Sequence, residues 1–366
     1  MDIFKFAPIT NDIDLRNGEL VHGIKTVMWI ERYREAGEFT ITANVSSGIR
    51  DALPIGTFIS HIKTPEVMVV ENHEISDQKT DDLEVTITGR SFETILEQRI
   101  VGANKTFPAG EPTNVVLAAN TSWRQAETLI SLHIETGQVV DPADVLKNVY
   151  PMATVNNSTG ASVAREVPFG TVYDAVIDIL AEDNIGISTS RPTGGSAVTW
   201  IFIHDGVDRR NQVVFSFDAG DITNADYLWS NKSSKNSILV TSNWSQVMVK
   251  AGAGYSRRVT IIDASDIDEH IKDPPDQTVR WQIENNLTNR GYAVLKSMNQ
   301  ISLSKAQAAK NSKKYVYRKH FNVGDIVLID GLFNESASMR VTEYVEIFDK
   351  DGSSQYPTLS TWPEVS

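Results

Sequence analysis

Two segments far apart in the chain repeat one pattern, and that repeat restricts the fold more than any other feature. The first reads Pro54-Ile55-Gly56-Thr57-Phe58-Ile59 and, after a short gap, Val69-Val70-Glu71-Asn72-His73-Glu74-Ile75. The second reads Asn322-Val323-Gly324-Asp325-Ile326-Val327 and then Val341-Thr342-Glu343-Tyr344-Val345-Glu346-Ile347. Gly56 aligns with Gly324, Val69 with Val341, Glu71 with Glu343, Glu74 with Glu346 and Ile75 with Ile347. Each copy is a strand opened by a glycine turn and followed by a longer strand. Repeated segments of this kind mark repeated supersecondary units. The competing reading is two unrelated β-hairpins that share few identities. On the repeat reading, one β-module is used twice with other material inserted between the copies.

A length of 366 residues leaves room for about two to four domains. With 41% hydrophobic and 22% charged residues, the chain falls among ordinary globular sequences. The formal net charge of −13 argues against a surface that neutralises phosphates. It suits a surface that DNA slides past, and equally suits solubility alone. With no cysteine in the chain, disulfide scaffolds, thiolate zinc sites and cysteine nucleophiles are excluded. Met1 to Ala7 lacks a long apolar run, so no signal peptide is visible. No apolar run approaches the roughly 20 residues of a membrane helix. The expectation is a soluble chain made in the cytoplasm.

Alternation predicts strands over Thr26–Arg32 and Glu38–Asn44, joined by the turn Tyr33-Arg34-Glu35-Ala36-Gly37. Val27, Trp29 and Glu31 share one side of the first strand. The two strands of the opening repeat follow, then a polar link from Ser76 to Asp82 and a fifth strand carrying Leu83, Val85 and Ile87, which Gly89 ends. Ser91 is read as the N-cap of a helix through Ile100. About five strands closed by a helix predict a small barrel over 1–102. Ala103–Pro112 is read as a loop. Thr113–Ala119 and Ser122–Leu132 are read as helices, the latter with a Ser122/Gln125 capping box. Thr136–Arg165 is read as loop-rich, with its most flexible point at Asn156–Gly160. Thr171 and Asp174 open a helix with the stripe Val172, Val176, Ile179 and Leu180, stopped by Asn184-Ile185-Gly186. Ile187–Ser190 and Ala197–Ile203 are strands joined by the turn Arg191–Gly195. An inserted α+β domain is thus assigned to 103–205.

Strands return at Val213–Phe217, Ile238–Thr241 and Gln246–Ala251. After Pro274-Pro275 a helix is predicted over Val279–Asn299, carrying Trp281, Leu287, Tyr292 and Leu295 and weakened by Gly291. Lys313–Phe321 reads as a basic, aromatic strand. The second module copy follows, and after the turn Asp349–Gly352 comes a last strand, Tyr356–Thr361. The second barrel is assigned to 206–250 and 298–366, and an inserted loop and helix segment to 251–297. The expected fold class is β-rich α+β: two similar β-barrel tube domains with inserted α+β domains.

Seven histidines are scattered, with no i, i+4 pair and no HExxH. His61 and His73 are within reach across a hairpin, but strand histidines are more often half-buried than ligands. Asp263, Asp266, Asp268, Glu269 and His270 form an acidic cluster without the glycine and spacing of a calcium loop; a solvated loop is the simpler reading. Gly252-Ala253-Gly254-Tyr255-Ser256-Arg257 opens like a dinucleotide fingerprint. A strand follows it rather than the required helix, so a tight hairpin is expected. Lys313, Lys314, Arg318 and Lys319 with Tyr315 and Tyr317 form the one basic patch, read as a solvated strand face. Contact with a negatively charged subunit is its other use. Trp29, Trp200, Trp229, Trp244 and Trp281 mostly fall in apolar patterns, where core packing is the default. No catalytic, cofactor-binding or metal-ligating residue is assigned, and no enzyme activity or cofactor is expected.

The run Trp29-Ile30-Glu31-Arg32-Tyr33-Arg34-Glu35-Ala36-Gly37-Glu38-Phe39 resembles the opening motif of siphophage tail-hub proteins. So do Thr88-Gly89-Arg90-Ser91-Phe92-Glu93-Thr94-Ile95-Leu96 with Arg99-Ile100, Phe215-Ser216 followed by Lys235-Asn236, and Val323-Gly324-Asp325 with Val341–Ile347. The resemblance runs over nearly the whole chain. Such hubs are similar to the central baseplate proteins of contractile tails and type VI secretion spikes. The resemblance implies a homotrimer whose two tube domains per subunit make a ring of six. That ring would match a hexameric tail tube or distal tail ring. It also implies partners: the distal tail ring protein, the tape measure protein, and tail fibre or receptor-binding proteins. DNA would pass through the lumen, in a virion. The chain ends at Ser366 without the fibre or peptidoglycan-cleaving extension of many relatives, so a bare hub is expected. A carbohydrate-binding or cell-wall-degrading baseplate component is the alternative, allowed by the tryptophans. An interaction protein unrelated to phage, binding peptides through its β-edges, is the third reading.

Overall fold

The computed structural model describes residues 2–6, 13–76, 83–102, 114–135, 145–156, 160, 162–192, 197–227, 235–250, 254–268, 271, 273–298, 303–308, 310–311, 314–332 and 335–362. The loop at 103–112, the link at 77–82, and parts of the segments 156–160 and 191–195 fall outside these residues. So do Gly252, Ala253, Trp229, Glu269, His270 and Lys313.

Period-two burial builds the first sheet. Its elements are β1 (Ile3–Phe6), β2 (Glu19–Leu20), β3 (Ile24–Arg32), β4 (Glu38–Asn44), the short helix α1 (Ile49–Ala52), β5 (Phe58–His61), β6 (Met68–Ser76) and β7 (Glu84–Ser91). Phe39, Ile41 and Ala43 of β4 and Val85 and Ile87 of β7 point to one side, where Trp29, Ile49 and Leu53 complete a core. The strands run β3-β4-β7-β6-β5-β1 as antiparallel neighbours. Gly89 does not end β7: it and Arg90 stay paired with Phe39 and Glu38. The helix expected after Ser91 is a 3-10 helix, Phe92–Gln98. Ser91 is its N-cap, as expected, but its side chain makes no capping hydrogen bond: the hydroxyl accepts from Gly37 N and donates to Glu93.

The middle of the chain adds β8 (Val115–Asn120), α2 (Ser122–Ile134), β9 (Val149–Thr154), β10 (Val163–Val167), α3 (Val172–Ala181), β11 (Gly186–Ser190) and β12 (Thr199–His204). The helix expected at 113–119 is the strand β8. Val115 and Val116 are β-branched, and Val115 and Leu117 are buried while Val116 is exposed, the alternation of a strand. The Ser122/Gln125 capping box does not form; the N-cap is Thr121. Gln125 instead donates to Ala118 O and Val163 O and accepts from Arg165, tying α2 to β8 and β10. The stretch read as loop-rich holds β9 and the start of β10. At α3, Thr171 Oγ1 accepts from Asp174 N at 3.0 Å, as its spacing predicts. Phe6, Phe58, Phe92 and Leu96 share one core with Trp123, Leu129, Val176 and Ile201, so the middle region packs directly onto the first sheet.

The remainder comprises β13 (Val214–Ser216), β14 (Ile222–Tyr227), β15 (Ser237–Thr241), β16 (Gln246–Lys250), β17 (Val259–Asp263), α4 (Gln277–Met298), β18 (Leu303–Ala308), β19 (Ile326–Leu332), β20 (Glu335–Asp349) and β21 (Gly352–Thr361). β15, β16, β17 and α4 form a unit of their own around Ile238, Val240, Val249, Ile283 and Leu287. The hairpin expected near Gly252–Arg257 is replaced by a crossover. β17 pairs in parallel with β15, on the side opposite β16, so that Ile238 and Val240 lie in a central strand under the helix. A Cβ at Gly291 would sit 2.5 Å from Val249 Cγ2 and 3.0 Å from Val240 Cγ2; glycine there lets α4 lie close to the sheet. Trp281, expected in the core, is 64% exposed.

β14-β18-β21-β20-β19 is an antiparallel run with the same order of connection as β3-β4-β7-β6-β5. The repeated segments occupy matching places in the two runs. Gly56 N donates to Val70 O at 2.8 Å and Val70 N to Thr57 O at 2.9 Å; Gly324 N donates to Val341 O at 2.7 Å and Val341 N to Asp325 O at 2.9 Å. The match therefore places Val70, not Val69, on Val341. Bulges agree with this register: β6 shifts against β7 between Val70 and Asn72, and β20 against β21 between Val341 and Glu343. Asn72 thus corresponds to Glu343 and Ile75 to Glu346. Aligning Val69 with Val341 is one residue out in the second strand, which reverses its faces.

β20 also pairs with β3, from Glu343 opposite Arg32 to Phe348 opposite Val27. This joins the two runs into a 13-stranded sheet whose path ends at β14 and β2. Among the described residues no pairing joins those ends, so the sheet is open and the two closed barrels expected from the sequence are not formed by its strand pairing.

Gly56 and Gly324 have φ of 87° and 95°, a region costly to any other residue. Added at Gly56, a Cβ meets nothing within 4 Å, whereas at Gly324 it falls 2.4 Å from Tyr33 Cε2. Gly56→Ala is expected to cost roughly 1 kcal/mol and Gly324→Ala roughly 3 kcal/mol in urea unfolding. Equal costs would contradict the close approach of Tyr33.

Candidate functional site

The join between the two runs is polar as well as β-paired. The alternation of β3 puts Glu31 on the same side as Val27 and Trp29, and all three are buried. A buried carboxylate needs donors, and Glu31 has three. Thr64 Oγ1 donates to it at 2.7 Å, Tyr317 Oη at 2.5 Å and Arg318 Nη2 at 2.6 Å. Arg32, next along β3, donates to Glu343 at 2.9 Å and to Glu38 at 2.8 Å, clamping β20 and β4 to β3.

Residues 314–321 are not the strand expected from their alternation. The chain turns at Arg318, whose φ is +64°; Arg318 N donates to Phe321 O and His320 N to Val316 O, each at 2.8–2.9 Å. This compact turn aims Tyr317 and Arg318 inward. Tyr317 stacks on Tyr344 with ring centroids 3.7 Å apart. The patch read as a solvated basic face is therefore split: Arg318 is committed to Glu31, and Lys314 donates to Asp221 at 2.8 Å.

A second group of carboxyls lies beside the first. Thr189 Oγ1, on β11, is 3.4 Å from Glu66 Oε1, 3.2 Å from Glu93 Oε2 and 3.4 Å from Val67 O. One hydroxyl proton serves these acceptors. Burial, with Glu93 and Glu31 nearby, raises Glu66 well above the usual carboxylate range. Burial likewise pushes Glu93 up to about 7, against hydrogen bonds that lower it. His61 lies 3.3 Å from Glu346 but without hydrogen-bond geometry. Burial and the cations Arg318, Lys63 and Arg191 push His61 down to about 3. It is neutral, and packs edge-on against Trp29 at 5.0 Å.

Tyr33 closes the other end of the join. Its hydroxyl lies 2.8 Å from Asn184 O and 3.1 Å from His204 O. The Arg340 guanidinium sits 4.4 Å from its ring centroid and donates to Gly324 O at 2.7 Å. One turn of the opening motif thus touches the middle region and the second run together.

The remaining candidates separate. His73 Nε2 is 2.7 Å from Leu53 O, away from the partners of His61. Asp268 accepts from Asn243 N, Asn243 Nδ2 and Trp244 N at 3.0–3.1 Å, and Asp266 accepts from Arg290 at 2.6 Å. These acids stabilise loops. Among the described residues, no group of three or more His, Cys, Asp or Glu is placed to hold a metal. No helix among them is long and apolar enough to cross a membrane. The sequence reading missed the polar join, although Glu31 within an apolar stripe was its signal.

The fold is similar to that of phage tail proteins of known structure. The chain is similar to a tail protein from Neisseria meningitidis MC58, at 12% identity over 98% of this chain and 96% of that one, with a TM-score of 0.56. It is similar to the 43 kDa tail protein of prophage MuSo2 from Shewanella oneidensis, at 11% identity over 98% and 97%, with a TM-score of 0.57. Prophage tail protein gp18 from Listeria monocytogenes EGD-e matches at 10% identity over 100% and 95%, with a TM-score of 0.58. In sequence, residues 9–359 match the family described as Siphovirus ReqiPepy6 Gp37-like protein, and the chain belongs to that family. No curated protein matches it significantly.

Carboxyls raised in the folded state bind more protons there than in the unfolded chain. Their stabilisation is complete below about 4.5 and is lost as pH rises through about 7. The unfolding free energy is expected to fall between pH 5 and pH 8 by an amount on the order of 2 kcal/mol, lowering the thermal midpoint, and Glu93→Gln should flatten the dependence. An identical slope in the variant would rule out this pair as its source. Glu31→Ala takes the acceptor from the Tyr317 and Thr64 hydroxyls, while Arg318 keeps part of its side chain in solvent; it should cost roughly 2 kcal/mol in urea unfolding.

Proposed function

We propose that the chain is a structural hub at the distal end of a phage tail, a homotrimer whose two strand runs per subunit make a pseudo-sixfold ring. One observation carries this reading. Within the subunit, β3 of the first run pairs with β20 beyond the part held by β19. The counterpart of β3 is β14, and the counterpart of that part of β20 is β6 from Glu71 to Ser76. Among the described residues, β14 pairs only with β18, and this part of β6 pairs only with β7. Glu71, Asn72, Glu74 and Ile75 are exposed. β14 of one copy laid on β6 of the next repeats the internal contact between subunits. Repetition around an axis closes a ring and leaves no growing edge.

In this reading the module is duplicated to adapt threefold assembly to a sixfold tube, and each barrel closes only through neighbours. The tube domains are 1–102 and 206–250 with 298–366, and 103–205 and 251–297 are insertions. The partners are the distal tail ring protein, the tape measure protein, and tail fibre or receptor-binding proteins. DNA passes through the lumen, which the net charge of −13 suits. The protein is a virion component without catalytic activity.

Light scattering should give about three times the 40.6 kDa chain mass. Ile75→Pro, which removes an N–H from the exposed stretch of β6, should yield monomers with a nearly unchanged thermal midpoint. A wild-type chain that stays monomeric at high concentration would sink the hub reading.

A further inference from the structure

The unit formed by β15, β16, β17 and α4 carries a second exposed edge, unrelated to the ring contact. Arg258 O accepts from Asn236 N and Ser237 N, and Ala264 N donates to Thr241 O. Even-numbered residues of β17 therefore turn their backbone groups toward β15. Val259, Ile261 and Asp263 turn theirs toward the outer edge. Among the described residues β17 pairs only with β15.

Exposed strand edges are usually blunted by a proline, a bulge or an inward charge. β17 has none of these: it reads Val-Thr-Ile-Ile-Asp and keeps unbroken register with β15. The central row of its outer face is apolar as well. α4 covers the face that holds Ile238, Val240 and Val249. On the opposite face, Met248, Leu239 and Ile261 are aligned across the three strands, and Ile261 is 68% exposed.

Charge is graded along this edge. Exposed Arg257 and Arg258 precede Val259, and Lys250 stands at the same end of the sheet but two strands away, on β16. Arg257 leans toward Met248 Sδ at 4.0 Å. Asp263 stands at the far end. An incoming antiparallel strand would place its C-terminal end beside the cationic group.

We propose that β17 is a docking edge for an extended segment of another tail component. That segment runs antiparallel to β17, is apolar at its centre and is acidic toward its C-terminal end. Main-chain hydrogen bonds supply the attachment, and the charge gradient sets its direction. The segment's outward side chains continue the Met248–Leu239–Ile261 row.

The test uses the full chain and a fluorescent synthetic peptide of alternating valine and threonine that ends in a pair of aspartates. Two control peptides carry the aspartates at the N-terminus, or N-methyl groups along one edge. The first peptide should bind, and both controls should bind at least roughly tenfold more weakly. Ile261→Lys and the pair Arg257→Glu with Arg258→Glu should weaken binding to a similar degree. All three positions are exposed, so thermal midpoints should match wild type. Failure to bind, equal binding of the aspartate-reversed peptide, or full binding by Ile261→Lys would overturn the proposal. A concentration-dependent dimer lost in Ile261→Lys would also overturn it, by assigning the edge to a second copy. None of these results depends on whether the ring forms.

Discussion

The pairing of β3 with β20 is the constraint on which the rest of the structure depends. It brings residues 27–32 against residues 343–348, more than three hundred positions apart. Without it the first and last strand runs would be separate sheets joined only by long insertions. Such a contact carries a large chain-closure entropy, and that cost grows only slowly with loop length. Insertions between the runs are therefore tolerated provided the join itself is strong. The join is reinforced by aromatic stacking at Tyr317 and Tyr344, by the Arg32 clamp, and by the three donors around Glu31.

The polarity of the join has a physical consequence. Glu31 is buried while Arg318 reaches it from the surface; such a pair stabilises less than a well-packed apolar core of the same volume, yet a buried carboxylate that loses its donors is costly. Glu31 accepts from groups on the β5–β6 connection and on the turn at 314–321, so only one relative placement satisfies it. An apolar seam would tolerate sliding of β3 along β20. The carboxyls of Glu66 and Glu93 extend the same restriction to the middle region, because their bridge passes through Thr189 of β11. Registry is what this cluster adds, and registry is what a sheet with two matching runs most needs.

Much of the fold was legible because strands half-buried on one face alternate. β3, β4, β7 and β12 follow directly from that period, and α3 follows from its capping residue and apolar stripe. The failures have particular causes. Residues 113–119 resemble a helix in sequence because a short apolar run carries no decisive period, and pairing with β10 makes 115–120 a strand. Residues 313–321 alternate like a strand, but Arg318 takes a left-handed conformation to reach Glu31, a tertiary demand that no local pattern records. The repeat was visible through its glycines, while the bulges that set its register were not. The polar join was hidden because its members, Glu31, Thr64, Glu93, Thr189 and Arg318, come from distant segments. Of these, only Glu31 broke its own local pattern.

The two runs differ where they are embellished, and the differences fall at corresponding corners. In the first run β3 passes to β4 through the turn at Tyr33–Gly37, whose tyrosine is fixed between Asn184, His204 and Arg340. In the second run the corresponding step, from β14 to β18, is where β15, β16, β17 and α4 are inserted. The outer strand differs too: β1 lies antiparallel to β5, while β13 lies parallel to β19. A corner that is locked by packing in one run is thus free to carry an additional unit in the other. The unit at that corner presents an unblunted strand edge outward, whereas the locked corner is filled by the chain's own middle region. Two copies of one strand order therefore differ in what the same corner carries: the chain's own middle region packed against it in one, and an added β-unit in the other.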